Sequence, residues 1–174
     1  VPFVKQTRVL AFMGLFIAMN IVLTRILSFE TPFIRVSFSF IPVAFSAIMF
    51  GPLIGGVTAA LADILGMILF PKGPYFPGFT FSALLSGAIY GFFLHRKPKT
   101  VVRILWAAAV IFLIEVGLDT IWVSILYNKA VSAIIGMRLI KSLLMLPVKT
   151  MVIYVLWRYV GNYAESSLID RKIT

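Results

Sequence analysis

Long apolar runs separated by short polar punctuation dominate the chain. The pattern predicts six helices, at about residues 4–27, 38–49, 53–70, 79–94, 103–127 and 135–160, followed by a polar tail to Thr174. A helix needs about 20 apolar residues to cross a bilayer. The second run is short and is expected to be tilted or only partly inserted. Phe50-Gly51-Pro52 reads as a tight turn between the second and third helices. Residues 1–174 therefore form a single six-helix membrane domain, an all-α fold. Between the third and fourth helices lies Pro71-Lys72-Gly73-Pro74-Tyr75-Phe76-Pro77-Gly78. Irregular backbone cannot face hydrocarbon, where each unsatisfied N–H or C=O costs several kcal/mol. This turn must sit at a membrane surface or line a cavity, and it reads as the rim of a ligand pocket.

Composition agrees with the pattern. Hydrophobic residues make up 61% of the chain, against about 45–50% in soluble proteins. The length leaves no room for a sizeable soluble domain. Cysteine is absent, which excludes disulfides, thiolate metal sites and cysteine catalysis. The single histidine, His95, cannot build a histidine metal cluster, so no metal is expected. No cleavable leader is evident, and the first apolar run is long enough to span.

The net charge of +10 suggests nucleic acid at first sight. In a membrane chain it more often marks basic cytoplasmic loops. Six spans with a cytoplasmic N-terminus place Lys5, Arg8, His95-Arg96-Lys97-Pro98-Lys99, Arg103, Arg158, Arg171 and Lys172 on the inside. The expected topology is N-in, C-in, with lipid rather than nucleic acid as the surrounding partner. Near the opposite face lie six cations: Arg25, Arg35, Lys72, Lys129, Arg138 and Lys141. Only Glu30 and Asp119 oppose them there. One reading is a positive basin that captures an anion from outside. The other is that these side chains snorkel to headgroups, the simpler account of Lys72 and Lys129.

Helical spacing sorts the remaining residues into faces. Ala11, Gly14 and Ala18 form a small-residue stripe on the first helix, suited to close helix approach. It either packs the bundle or docks a partner subunit. Gly55, Ala59, Ala62 and Gly66 repeat the device on the third helix, and Ala83, Gly87 and Gly91 on the fourth. Asp63 is a packed carboxylate bonded to a neighbouring helix, or else a proton carrier or ligand contact. Glu115, Asp119, Trp122 and Leu126 share one face of the fifth helix. Arg138, Lys141, Met145 and Lys149 share one face of the sixth. Matched depths pair Glu115 with Lys149 as a buried structural ion pair, below a cavity open to the outside. Pro147 is expected to loosen the sixth helix nearby. The candidate ligand residues are Tyr75, Phe76, Phe79 and Trp122 for flat rings, Arg25, Arg35, Arg138 and Lys141 for carboxylates, and Asp119 for N–H groups. Together they suit a flat heteroaromatic molecule with an acid tail.

These residues resemble the substrate-binding S subunits of energy-coupling factor (ECF) vitamin transporters. The likeness spans essentially the whole chain. It is carried by the six-span layout, the stripe on the first helix, Gly51-Pro52, Asp63-Ile64-Leu65-Gly66 and Tyr75-Phe76-Pro77-Gly78-Phe79-Thr80. Tyr75 to Ala83 and Arg138-Leu139-Ile140-Lys141 are most similar to the folate-specific branch. The resemblance implies a pocket near the extracellular face, closed by the loop after the first helix, at about residues 28–37, with Phe33 and Arg35 as lid contacts. It implies residence in a bacterial cell membrane and a complex with a transmembrane coupling subunit and two ATPases. It implies docking through Ala11, Gly14 and Ala18, although the family's motif usually has alanine at both ends.

No G-x-x-x-x-G-K-[ST] phosphate loop occurs, since Gly51-Pro52-Leu53-Ile54-Gly55-Gly56 lacks the lysine. ATP is then used by partners, and the chain itself needs no cofactor. The expectation is a non-enzymatic folate-binding subunit. An S subunit for another vitamin is the nearest alternative. A self-sufficient proton-coupled carrier of an organic anion, using Asp63, Glu115 and Lys149, is a further one. A metal-dependent lipid or isoprenoid enzyme would need more oxygen ligands than Glu115 and Asp119 supply.

Overall fold

The structure, a computed structural model, describes residues 2–30 and 35–161, and the side chains of residues 6–29 and 36–159. The helices are α1 (Pro2–Ile21), α2 (Phe40–Phe50), α3 (Pro52–Leu69), α4 (Pro77–Leu94), α5 (Val101–Val116), α6 (Leu118–Tyr127) and α7 (Val131–Leu156). Five stretches are long and apolar enough to cross a membrane: Gln6–Ile26, Pro52–Leu69, Pro77–Leu94, Val101–Tyr127 and Val131–Tyr159. Strand structure among the described residues is confined to β1 (Phe29–Glu30) and β2 (Arg35–Val36), a two-residue antiparallel ladder that caps α1.

The predicted helices are all present, with three differences. The fifth breaks at Gly117 into α5 and α6. The first and last end in π-helical turns, Val22–Ile26 and Trp157–Gly161. The second, 11 residues long, rises only about 16 Å, roughly half the hydrocarbon thickness. Its residues Pro42 to Ile48 are buried throughout, so lipid contact does not stabilise it. It is a core helix, packed against α1, α3, α4 and α7.

Small residues set the central contact, in which α3 and α4 are in extensive contact. A Cβ added to Gly87 would collide with the Gly55 carbonyl, and one added to Gly91 with the Pro52 backbone. The stripes on these two helices therefore pack the bundle. Gly87→Val is expected to push α3 and α4 apart and lower the thermal midpoint of the purified protein well below wild type, since overpacking a tight contact typically costs 1–3 kcal/mol or more. The Gly51-Pro52 turn forms as expected, with Gly51 at φ 97°. It lies beside His95, whose Nδ1 meets the Ile48 carbonyl at 2.8 Å. One end of the bundle thus gathers the α2–α3 and α4–α5 turns. The Pro71–Phe76 segment, the β-ladder and the α6–α7 turn lie at the opposite end.

Candidate functional site

That opposite end opens into a cavity of about 620 Å³, within the range of small-molecule sites. Every helix except the exposed half of α1 contributes a wall. The last turns of α1 supply Asn20, Thr24 and Arg25. The π-turn inserts an extra residue into the helix, and here it accompanies an inward-turned Arg25, whose side chain is 1% exposed. The turn before α4 supplies Lys72, Tyr75 and Phe76. On α4, Phe79, Ala83, Ser86 and Tyr90 recur at spacings of four, three and four, which puts them on one face.

Two charged clusters line this space. In the first, Arg25 Nη2 lies 3.9 Å from Asp63 Oδ1. The Thr80 hydroxyl donates to Asp63 Oδ2 at 2.8 Å, and the Tyr75 hydroxyl is 3.0 Å from that of Thr80. A polar chain thus ties the pocket rim to α4, α3 and the end of α1. In the second cluster, Lys149 Nζ donates to Glu115 Oε1 at 2.5 Å, and Lys141 Nζ stands 3.9 Å from Glu115 Oε2. Arg138 Nη2 is 3.8 Å from Asp119 Oδ2, while Nη1 donates to the Asp119 carbonyl at 3.2 Å. Glu115 Oε2 and Asp119 Oδ1 are buried and accept no hydrogen bond. Buried polar atoms are normally satisfied, so these two oxygens, on residues that line the cavity, stand out as acceptors without a donor. Cations, aromatic faces and carboxylate acceptors together can hold a planar, N–H-bearing ring with anionic substituents.

Residues 8–157 match the family model for the substrate-specific component of ECF transporters. The chain belongs to that family. Among its relatives, the folate transporter FolT of Clostridium novyi (strain NT) is 46% identical over 159 residues, covering 91% of this chain and 92% of that protein. The folate transporter FolT of Leuconostoc mesenteroides subsp. mesenteroides is 33% identical over 158 residues, covering 87% and 85%. A crystal structure of FolT bound with folic acid superposes with a TM-score of 0.81 at 40% identity, covering 84% of this chain and 90% of that one. A structure of the S component of a bacterial ECF transporter superposes with a TM-score of 0.66 at 25% identity, covering 91% and 98%.

In this S component most of the ligand residues expected from sequence meet at one cavity. Arg25, Tyr75, Phe76, Phe79, Asp119, Arg138 and Lys141 all line it. Trp122 does not. The cavity face of α6 runs through Asp119, Val123 and Leu126, and Trp122 lies one position round, toward α4. Its ring backs Phe76 at a centroid distance of 5.6 Å, and its Nε1 donates to Ser82 Oγ at 3.2 Å. Gly78 permits this, because a Cβ there would meet the indole at 2.6 Å. Trp122 therefore holds up the aromatic wall, and Phe76 and Phe79, with centroids 6.2 Å apart, present the faces. For Arg35 only the backbone is described, in β2, and its side chain lies outside the described residues, as does Phe33.

Glu115 and Lys149 form the expected ion pair, but they line the cavity rather than lying below it. Asp63 is the expected interhelix carboxylate and also lines the cavity. Tyr90, 1% exposed with its hydroxyl unpartnered, escaped notice in the sequence. Its spacing from Phe79 was the available signal. Ala11, Gly14 and Ala18 are exposed, and a Cβ on Gly14 would meet nothing within 4 Å. This stripe, unlike those on α3 and α4, packs no part of the bundle.

Proposed function

We propose that this S component is the folate-binding subunit of an ECF transporter in a bacterial cell membrane, with both termini cytoplasmic and the cavity facing outward. One observation carries the reading. A cavity of suitable size combines aromatic walls, buried cations and carboxylate oxygens that accept no hydrogen bond, in a chain 46% identical to a folate transporter. Aromatic side chains stack on flat rings, with Phe76, Phe79 and Tyr75 in place here. Carboxylates, Asp119 among them, accept from ring and amide N–H groups. Arg25 and Arg138, with Arg35 from the loop above, serve the glutamate carboxylates, which guanidinium groups match bidentately. The chain binds rather than catalyses, and uphill movement depends on a transmembrane coupling subunit and two ATPases. The test is equilibrium binding to the purified protein: folate is expected to bind saturably, and riboflavin and thiamine not at all. Binding of either of these in place of folate would make it an S subunit for another vitamin.

The exposed stripe on α1 is the proposed docking face for the coupling subunit. Small residues let helices approach closely in lipid. Gly14→Trp or Ala18→Trp is therefore expected to abolish co-purification with the coupling and ATPase subunits while leaving folate affinity within about twofold of wild type, since neither residue touches the cavity. Loss of folate binding in these variants would contradict the assignment.

A further inference from the structure

The end of the bundle opposite the cavity carries a cluster of cations. Arg96 and Lys97 lie in the α4–α5 turn, Arg103 in the first turn of α5, and Arg158 directly after α7. Lys99 Nζ stands 4.6 Å from the centroid of the Trp157 ring, so this turn and the end of α7 are neighbours. The acidic residues within the described stretches are elsewhere. Glu30 is in β1, and Asp63, Glu115 and Asp119 line the cavity. Glu115 is about 18 Å along α5 from Arg103. Residues 162–174, outside the described residues, hold Glu165 and Asp170 against Arg171 and Lys172, so their side chains bring no net charge to set against the cluster. The turn itself is pinned. His95 Nδ1 meets the Ile48 carbonyl at 2.8 Å, Arg96 takes a left-handed φ of 53°, and Lys97 Nζ donates to the Phe92 carbonyl at 2.8 Å while lying 4.8 Å from the Phe92 ring centroid. An ammonium has three N–H donors, so Lys97 keeps donors for an outside acceptor. Beside the cations the surface is apolar. Trp106 is three residues from Arg103 and four from Val102, which puts all three on one face of α5. Val102, Trp106, Phe92 and Tyr159 are all exposed.

We infer that this end of the bundle is a binding site for an anionic phospholipid of the cytoplasmic leaflet. Arg96, Lys97, Arg103 and Arg158 take the phosphodiester, and the Val102–Trp106 face of α5 takes the acyl chains. The leaflet follows from the orientation proposed above, with both termini cytoplasmic. The site does not depend on what the cavity holds. Charge sets the class of ligand, because guanidinium groups match phosphate oxygens bidentately. Basic pockets at the cytoplasmic ends of membrane helices hold anionic headgroups in this way. The apolar face narrows the class further. A soluble anion or an acidic protein segment would meet the cations and leave Val102 and Trp106 uncovered, whereas one phospholipid covers both. A tryptophan ring is also at home at headgroup level. Membrane orientation alone asks only for basic residues near the span ends. It does not require them in a turn fixed by His95, Phe92 and Trp157.

The experiment reads tryptophan quenching in the full chain, reconstituted in vesicles of phosphatidylcholine and phosphatidylglycerol with one lipid at a time brominated in its acyl chains. Trp106 is the exposed tryptophan at this end, whereas Trp157 is buried and Trp122 packs on Phe76 near the other end. Phosphatidylglycerol is expected to associate at least about fivefold more strongly than phosphatidylcholine, the scale of one cation near an anionic surface. Trp106→Phe is expected to remove the difference in quenching. Arg103→Gln is expected to lower the preference several-fold, and the combined Arg96→Gln, Lys97→Gln, Arg103→Gln and Arg158→Gln variant to bring it near one. Lys129→Gln, at the opposite end, is expected to leave it unchanged. Thermal unfolding confirms that each variant is folded, and Arg103→Gln alone decides the matter if the combined variant is not. Equal association of the two lipids with wild type would overturn the inference, as would a preference that survives in a folded Arg103→Gln protein or in Trp106→Phe. A preference that appears only when Glu165→Gln and Asp170→Asn are introduced would give the cations to the chain's own C-terminal segment, and would also overturn it.

Discussion

Lys149→Met is expected to destabilise the folded protein by about 3 kcal/mol or more, the lower part of the range for breaking a buried ion pair from one side. Lys149 is 6% exposed and holds Glu115 Oε1. Its removal leaves Glu115 with only Lys141, 3.9 Å from the other oxygen. Desolvation of the carboxylate is then poorly compensated. Adding Glu115→Gln removes the stranded charge, and the double variant is expected to recover most of the loss. This non-additivity is what a directly interacting pair produces. The two single variants and the double variant can be compared by thermal unfolding in detergent. A double variant as unstable as Lys149→Met would show that Lys149 acts through packing alone.

Asp63→Ala is expected to lower folate affinity by about 10- to 100-fold, the range of one or two lost charge-assisted contacts. Asp63 joins three elements: it pairs with Arg25 at the end of α1, accepts from Thr80 on α4, and through Thr80 supports Tyr75 at the rim. Alanine removes these contacts at once and weakens the hold on the Tyr75 segment and the Arg25 guanidinium. Asp63→Asn keeps an acceptor for Thr80 but loses the charge, so its affinity should fall between those of wild type and alanine. Equal losses in both variants would assign the whole effect to charge. No loss in either would remove the polar chain from the account of binding.

Much of this arrangement could be read from the amino acids, for physical reasons. In lipid the backbone must satisfy itself within each segment, so long apolar runs have little choice but helix, and α1, α3, α4 and α7 begin and end near their expected positions. The α2–α3 turn followed from Gly51-Pro52. The Glu115–Lys149 pair followed from helical spacing and from the cost of burying either charge alone. The π-turn that accompanies the inward Arg25 has no local sequence signal, since Val22-Leu23-Thr24-Arg25-Ile26 continues the α-helical apolar pattern. The break at Gly117 was equally silent, because a glycine within an apolar run is tolerated in membrane helices. Trp122 was misplaced by one position around its helix. A tryptophan and a valine at neighbouring positions do not reveal which faces a cavity. Packing against Gly78 and a hydrogen bond to Ser82, both from another helix, decide it.

The central claim is that folate occupies the space enclosed by α1, α3, α4 and α5–α7. Ser86 lies on the cavity face of α4, between Phe79 and Tyr90, and Ser86→Trp would fill that space. The decisive measurement is equilibrium folate binding to purified wild type and Ser86→Trp, with both proteins confirmed as folded by thermal unfolding. Saturable binding of one folate per wild-type chain, and none to a folded Ser86→Trp protein, is the predicted result. Undiminished binding to that variant would place the ligand elsewhere and contradict the account.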